Sequence, residues 1–393
     1  MNNLPKPTAD HTKKRVGIVG GGQLGKMMIL EAKRLGLYIV TLDPTPSCPS
    51  HSISDEHIIA EFDSAKAYAQ LATKVDVITY EFEHINAEVL ELLEKQGHTI
   101  YPSVSSLKTI QNKYLQKQVL AKNSIAVPRF VLADSVSAIK SLGRSKTFSY
   151  PLMLKTTKGG YDGKGNALIN DESEVEAAYQ SLGGGKKELM VEEFINFDKE
   201  ISVIACRGID GTKVIYPVAE NIHVNSILDT TIAPARISEK CAQKAMAVAE
   251  KVMEVFEGVG TFCVEMFVTK RGRIYVNEVA PRPHNSGHYT IEGCFANQFE
   301  NHIRAIVGLP FGGVGLIQPT VMMNLLGGGA GRAALVGLDR VYLDPDIHIH
   351  IYGKEESKKH RKMGHLTVVD KTVESAIAKA QNAKKIVKVV GAE

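Results

Sequence analysis

A chain of 393 residues, 44% hydrophobic and 23% charged, is long enough for two or three domains and has the composition of an ordinary globular protein. Lys+Arg 47 against Asp+Glu 43 leaves a formal charge of +4, too mild for nucleic-acid or membrane partners, although it suits a site that gathers several phosphates. No apolar run reaches the ~18 residues of a spanning helix, and the polar opening MNNLPKPTADHTKK lacks a signal-peptide centre. The five cysteines, at 48, 206, 241, 263 and 294 and never in CxxC spacing, argue against a disulfide scaffold and a zinc site. A cytoplasmic enzyme is expected.

Residues 15–120 alternate strand and helix. RVGIVG reads as a buried strand, GQLGKMMILEAKRLG as a helix, and LYIVTLD and VDVITYEF (75–82) as further strands. Such alternation predicts a parallel, doubly wound α/β sheet. One polar helical stretch, SSLKTIQNKYLQKQVLAKNS, leads to a fresh start at IAVPRFV. From 125 to 310 the pattern becomes α+β: short strands YPLMLKT, KELMVEEFI and EISVIACRG, the long helix SEKCAQKAMAVAEKVMEVF, and a hairpin, GTFCVEMFVTKRGRIYVNEVAP. After GLPFGGVG, residues 316–393 give short strands (IHIHIYG, GHLTVVD), one helix (VESAIAKAQNAKKIV) and a loose loop, GGGAGR.

The first chemical motif is Gly20-Gly21-Gly22-Gln23-Leu24-Gly25, a GxGxxG between strand and helix, with Asp43 ending the next strand. It reads as a dinucleotide fingerprint, as a seat for a phosphorylated substrate, or as a tight turn with no ligand. The second is Lys155 at a strand end, followed by Gly159-Gly160-Tyr161-Asp162-Gly163-Lys164-Gly165. Free backbone amides there can fold over polyphosphate, and the lysine can neutralise the same oxygens. Glu192-Glu193-Phe194-Ile195 closes the next strand, where backbone groups suit an adenine edge and a carboxylate suits a ribose.

The hairpin carries the most informative pair. With its turn centred on Lys270–Arg273, pairing 269 with 274 sets Glu265 opposite Glu278. Facing carboxylates lie about 4.5–5.5 Å apart at Cβ and repel unless a hard cation sits between them, which at a phosphate site means Mg²⁺. In this register Asn277 falls on the opposite face, so a ligand role for it requires a bulge. The Pro-pinned loop Pro281-Arg282-Pro283-His284-Asn285-Ser286-Gly287-His288 offers planar donors. The basic run Lys354, Lys358, Lys359, Arg361, Lys362 lacks interleaved aromatics, so it reads as a phosphate clamp or a solvated face rather than a nucleic-acid patch.

Together GIVGGGQLGKMM, ITYEFEHIN, KTTKGGYDGKG, NEVAPRPHNSGHYT and YGKEESKKHRKMGH resemble the ATP-grasp superfamily, and within it the 5-(carboxyamino)imidazole ribonucleotide synthases of purine biosynthesis. The resemblance implies a Rossmann-like pre-ATP-grasp domain (1–114), an ATP-grasp domain (115–310, with a lid subdomain at about 125–200) and a small β-rich C-terminal domain (311–393). It implies ATP held by Lys113, Lys155, Gly160, Tyr161, Asp162, Gly163, Lys164, Gly165, Glu192, Glu193, Phe194, Ile195, Glu200, His223, Asn277 and Glu278, with Mg²⁺ (or Mn²⁺) on Glu265 and Glu278. It further implies that Gln23, Leu24, Glu81, Tyr161, Asp162, Arg282, His284, Asn285, Lys354, Arg361 and Lys362 bind 5-aminoimidazole ribonucleotide, and that Lys155, Asp162 and Arg282 are catalytic. The implied reaction is ATP-dependent carboxylation of that ribonucleotide's exocyclic amine by bicarbonate through carboxyphosphate, in a homodimer. Lys113 stands where many relatives have Arg, and KEESKKHRK departs from their proline- and glycine-containing version. Three alternatives stay open: a formate-dependent glycinamide ribonucleotide transformylase, a nicotinamide-dependent oxidoreductase using Gly20–Gly25, and a nucleotide-sensing scaffold without turnover.

Overall fold

The computed structural model describes residues 13–160 and 164–392. Its first sheet is parallel, in the order Glu56–Ile58, Tyr38–Leu42, Arg15–Val19, Val77–Tyr80. The Tyr38–Leu42, Arg15–Val19 and Val77–Tyr80 strands are almost entirely buried, as in parallel sheets covered by helices. The Gln23–Arg34 helix buries Leu24, Met27, Met28 and Ile29 against Phe299, Ile303 and Ile306 of the Gln298–Val307 helix, so the first sheet is packed onto the second region through an apolar core.

The expected helical stretch 105–124 is two helices, Val104–Gln111 and Lys113–Lys122. Asn112 is the reason. Its side-chain oxygen accepts from the backbone N–H of Tyr114 (2.9 Å) and Leu115 (3.1 Å), ending one helix and capping the next. The second helix thereby starts at Lys113, whose N–H donates to Thr157 O at 2.7 Å, beside the end of the Leu152–Thr156 strand.

A small antiparallel sheet, Phe130–Leu132, Leu189–Glu193, Leu152–Thr156, Asn166–Ile169, carries the Val136–Gly143 and Val175–Ser181 helices and its own core around Ile139, Leu152, Leu154 and Val191. The large sheet runs Ile274–Ala280, Gly260–Val268, Lys199–Arg207, Ala219–Val224, Ile227–Ala233, Thr320–Leu326, Lys362–Val369, Ile347–Ile351. It crosses the expected boundary at 310/311 without a break, because Ile227–Ala233 pairs with Thr320–Leu326. The Glu239–Phe256 helix, capped by Ser238, lays Ala245, Ala249, Val252, Met253 and Phe256 on this sheet. Truncating Met253 to Ala would cost about 2–5 kcal/mol. The expected loose loop GGGAGR is half strand: Gly331 and Arg332 begin Gly331–Val336, which pairs with Lys388–Ala392.

Candidate functional site

Glu265 and Glu278 face each other across the Gly260–Val268/Ile274–Ala280 hairpin. The route to that register differs from the expected one. Val268 pairs with Ile274 and Met266 with Val276, one residue off the expected frame, and a bulge at Asn277 brings Glu278 opposite Glu265. The bulge also explains the pattern Val-Asn-Glu-Val. Val276 and Val279, three apart, both enter the same core, and Asn277 and Glu278 are both left half-buried on the site side. This edge strand would expose unpaired backbone groups, and the Lys113–Lys122 helix satisfies them. Gln116 exchanges hydrogen bonds with Val279 N (2.9 Å) and O (3.1 Å), and Lys117 Nζ donates to Asn277 O at 2.9 Å.

Burial, reinforced by the Glu278 and Glu200 carboxylates and opposed by His223 and Lys113, pushes the Glu265 carboxyl up to about 7. Lys113 pairs with Glu278. Burial opposes the Lys113 charge, but Glu278 outweighs it and raises that ammonium's pKa. Two facing oxygen donors, one of them reluctant to ionise alone, fit a hard divalent cation. Two carboxylates are the donor set that suits Mg²⁺, an ion that takes one or two carboxylates and completes its shell from phosphates and water.

Behind the hairpin lies a closed ring of polar side chains. Lys155 Nζ pairs with Glu192 Oε2 (2.9 Å) and donates to Asn277 Oδ1 (3.3 Å). Lys117 Nζ stands 3.1 Å from Glu192 Oε1, an ion contact rather than an aligned hydrogen bond, while holding Asn277 O. Glu192 and Lys117 side chains are each only 2% exposed. Burial works against the Glu192 charge, and the two lysines overcome it, lowering its pKa. Both oxygens of the Glu192 carboxylate are thus engaged by lysines. Glu193 is engaged with Arg129 (2.5 Å), and Phe194 is exposed. Glu200 Oε2 instead meets His223 Nδ1 at 2.6 Å, and this bond outweighs burial to raise the histidine's pKa.

Nearby, Arg282 makes a two-pronged pair with Glu83, Nε–Oε2 2.6 Å and Nη2–Oε1 3.0 Å, and feels the Glu278 charge. Burial opposes the Glu83 charge, yet Arg282 holds its carboxyl down to about 2. His284 is kept neutral by burial, with Arg282 and Lys362 adding to the effect. Its Nδ1 accepts from Ser286 N (3.3 Å), so the ring proton lies on Nε2, which faces Glu265 Oε1 at 3.8 Å. Gln298 clamps the backbone of His284 at both N (2.9 Å) and O (2.7 Å). The Asn285 carboxamide is closed against that of Asn324, at 2.7 and 3.0 Å.

The Gly20–Gly25 turn does not hold a free phosphate cradle. Glu81 occupies it, accepting from Gly22 N (2.6 Å) and Gly25 N (2.7 Å), while Asp43 accepts from Gly21 N (2.8 Å). A Cβ on Gly20 (φ +102°) would lie 2.3 Å from Glu81 Cγ, so the glycines admit the protein's own carboxylate. This removes the dinucleotide reading. Gln23 is half-buried, and Leu24 sends its side chain into the core. Lys354 donates to Lys362 O (2.8 Å), and Arg361 Nη1 to Glu356 O (2.8 Å). After burial and its two amide hydrogen bonds, Glu81 also feels the Lys354 charge. Lys362 is felt at His223 and His284, so the basic run borders the site. Tyr161, Asp162 and Gly163 lie outside the described residues; Gly160 and Gly165 stand on either side of them at φ +84° and +95°, and Lys164 is exposed.

Lys117, Gln116, Glu83 and Gln298 escaped the sequence reading. Lys117 carried a signal: it lies four residues after Lys113, on the same helical face. Glu83 stood inside ITYEFEHIN, but nothing in its spacing marked Arg282 as its partner.

Three family models match the chain: a ribonucleotide synthetase preATP-grasp domain over 13–111, an ATP-grasp domain over 118–299, and a phosphoribosylaminoimidazole carboxylase C-terminal domain over 320–379. N5-carboxyaminoimidazole ribonucleotide synthase of Staphylococcus aureus (strain COL) is 41% identical over 362 residues, 91% of this chain and 93% of that protein. The crystal structure of N5-carboxyaminoimidazole ribonucleotide synthetase from Thermotoga maritima superposes with a TM-score of 0.88 at 45% identity, covering 96% of this chain and all of that one (100%). That of the Aspergillus clavatus synthase, in complex with ADP and 5-aminoimidazole ribonucleotide, matches with a TM-score of 0.88 at 34% identity, over 96% and 99% of the two chains.

Proposed function

The chain belongs to the N5-carboxyaminoimidazole ribonucleotide synthase family, and from that premise we propose that it carboxylates the exocyclic amine of 5-aminoimidazole ribonucleotide with bicarbonate at the expense of ATP, yielding the N5-carboxyamino product, ADP and phosphate. The observation that carries this reading is the facing pair Glu265/Glu278, with Lys113 paired to Glu278, Lys155 bonded to Asn277, and His284 set against Glu265 beside Arg282. Phosphate chemistry and a ribonucleotide site meet there.

Bicarbonate is a poor electrophile until one of its oxygens attacks the γ-phosphorus of ATP, giving carboxyphosphate. Lys155 and the amides of the 159–165 loop stabilise the charge on the transferring group, with Lys113 beside them. Glu265 and Glu278, with Asn277 alongside, would hold Mg²⁺ or Mn²⁺, which when bound would supply further neutralisation at the phosphate oxygens. Glu192–Ile195 offers backbone to the adenine, and Glu200 with His223 suits the ribose. Arg282, fixed by Glu83, and His284, donating from Nε2, orient the ribonucleotide beside Gln23, Leu24, Glu81 and Asn285. Lys354, Arg361 and Lys362 hold its phosphate, and Asp162, with Tyr161, is assigned to the amine and its proton. Carboxyphosphate is easily lost to water, so the 125–200 segment acts as a lid over it. The division at 1–114, 115–310 and 311–393, a cytoplasmic location and a homodimeric assembly complete the proposal.

Phosphate release measured with ATP, Mg²⁺, bicarbonate and the aminoimidazole ribonucleotide, omitting each in turn, tests it. Dependence on all four is expected. Turnover with formate and glycinamide ribonucleotide instead would overturn it.

A further inference from the structure

The ring of Lys117, Glu192, Lys155 and Asn277 contains two ammonium groups and one carboxylate. Among its neighbours Lys113 is matched by Glu278 and Arg282 by Glu83, and Glu265, facing Glu278, has its carboxyl pushed up to about 7. The ring is therefore buried with one positive charge in surplus, an arrangement that a low-dielectric site disfavours unless an anion completes it. Of the charged members Lys155 is nearest the outside, 10% exposed at its side chain, whereas Lys117 and Glu192 are at 2%. The surplus is thus displayed through Lys155.

We propose that Lys117 is a positioning residue for ATP: by taking one oxygen of Glu192 and the carbonyl of Asn277, it leaves Lys155 only partly neutralised and so free to be drawn onto phosphate. The inference rests on the ATP reading given above. Without Lys117, Glu192 and Lys155 would form a closed buried pair at 2.9 Å, and phosphate would have to compete with the only cation satisfying that carboxylate. Lys117 would also cease to tie the Asn277 bulge to the strand that carries Glu192. The two roles make different demands, and substitutions separate them.

The test is calorimetric titration of Mg²⁺-ATP, and separately of 5-aminoimidazole ribonucleotide, into the full-length wild type, Lys117→Met and the double variant Lys117→Met/Glu192→Gln, with thermal unfolding followed in parallel. Lys117→Met should weaken ATP by about tenfold to a hundredfold, the ratio carried by one charge-assisted contact, while the ribonucleotide affinity stays within about threefold, the scale of a marginal charge effect. Glu192→Gln restores the surplus charge without restoring the bond to Asn277 O, so the double variant should recover most of the lost ATP affinity. Unchanged ATP affinity in Lys117→Met overturns the proposal, and so does a double variant that binds no better than the single one, since that places the whole effect in the backbone tie. Should Lys117→Met not fold, Lys117→Gln makes the same change in charge with a donor retained. A wild type that binds no ATP would strike the functional reading instead, which keeps the two failures apart.

Discussion

The molecule gathers basic side chains in two regions that differ in kind. Lys113 and Lys117 share one helix and Lys155 ends a distant strand, and the fold sets each against a carboxylate, Glu278 or Glu192, with Lys117 and Lys155 buried. Lys354, Lys358, Lys359, Arg361 and Lys362 are packed into nine residues of sequence, yet they sit half-buried or exposed, and Lys354 and Arg361 spend donors on nearby backbone carbonyls. Around Lys117, Glu192 and Lys155 water is largely excluded, so each charge acts strongly on its neighbours and on any phosphate brought to them. In the second, solvent screens the charges and only those aimed at a ligand can matter. A dense cluster in sequence is therefore the weaker guide to a strong electrostatic site.

The largest effect is expected in the buried region. Glu278→Gln removes a charge that Lys113 and a cation would share, and it should cut phosphate release by about 10²–10³-fold, the usual loss of one preorganised charge at a phosphoryl or acyl transfer site. Steady-state rates at saturating Mg²⁺ check this, and near-normal turnover would remove the metal assignment. Glu83 extends the comparison to stability. Its folded pKa of about 2 lies below the ordinary 4.5, so its contribution is fully present above pH 4.5 and is lost as pH falls toward 2. With its side chain 14% exposed, that contribution is about 3 kcal/mol at neutral pH. Denaturant melts of wild type and Glu83→Gln should show a stability gap that narrows between pH 4.5 and 2; a constant gap would mean that the pair with Arg282 does not depend on charge.

Much of this site was legible from residue order, for reasons that can be named. The Glu265/Glu278 opposition followed from strand periodicity and a turn, both local properties, and it survived a register error of one residue because the Asn277 bulge compensated it. That bulge was written in Val276-Asn277-Glu278-Val279, where two apolar residues three apart must share a face. The break at Asn112 was equally local and was overlooked as a capping signal. Contacts that span the chain were not legible. Glu83 with Arg282, Lys117 with Glu192 and Gln298 with His284 depend on which elements the topology brings together, and no spacing encodes them. The glycine turn misled in the opposite sense, since GxGxxG states that something anionic approaches the amides, and here it is Glu81.

Within the basic run, Lys354 and Arg361 are the pair expected to face the ribonucleotide. Replacing both with Ala should raise the ribonucleotide requirement by about 100-fold, two charge-assisted contacts at about 1.5 kcal/mol each, and spare ATP. Equal loss of both ligands would point to a misfolded C-terminal region.

The smallest effect separates clamp from solvated face inside the same run. Lys358 is 67% exposed at its side chain, and its ion pair is with Glu356, itself 69% exposed, a geometry in which solvent competes for both partners. Lys359 is exposed as well. Neighbours in sequence, these two carry the same formal charge as Lys354 and Arg361, so a mechanism that depended only on local charge density would treat the two pairs alike. A mechanism that depends on aimed donors would not. The double variant Lys358→Ala/Lys359→Ala should shift the ribonucleotide requirement by less than about threefold, the range of screened surface charges, and that small shift should vanish when the titration is repeated at high ionic strength. A loss approaching that of the Lys354/Arg361 variant, persisting in salt, would show that the whole run binds phosphate and that exposure at this surface does not separate clamp from solvated face.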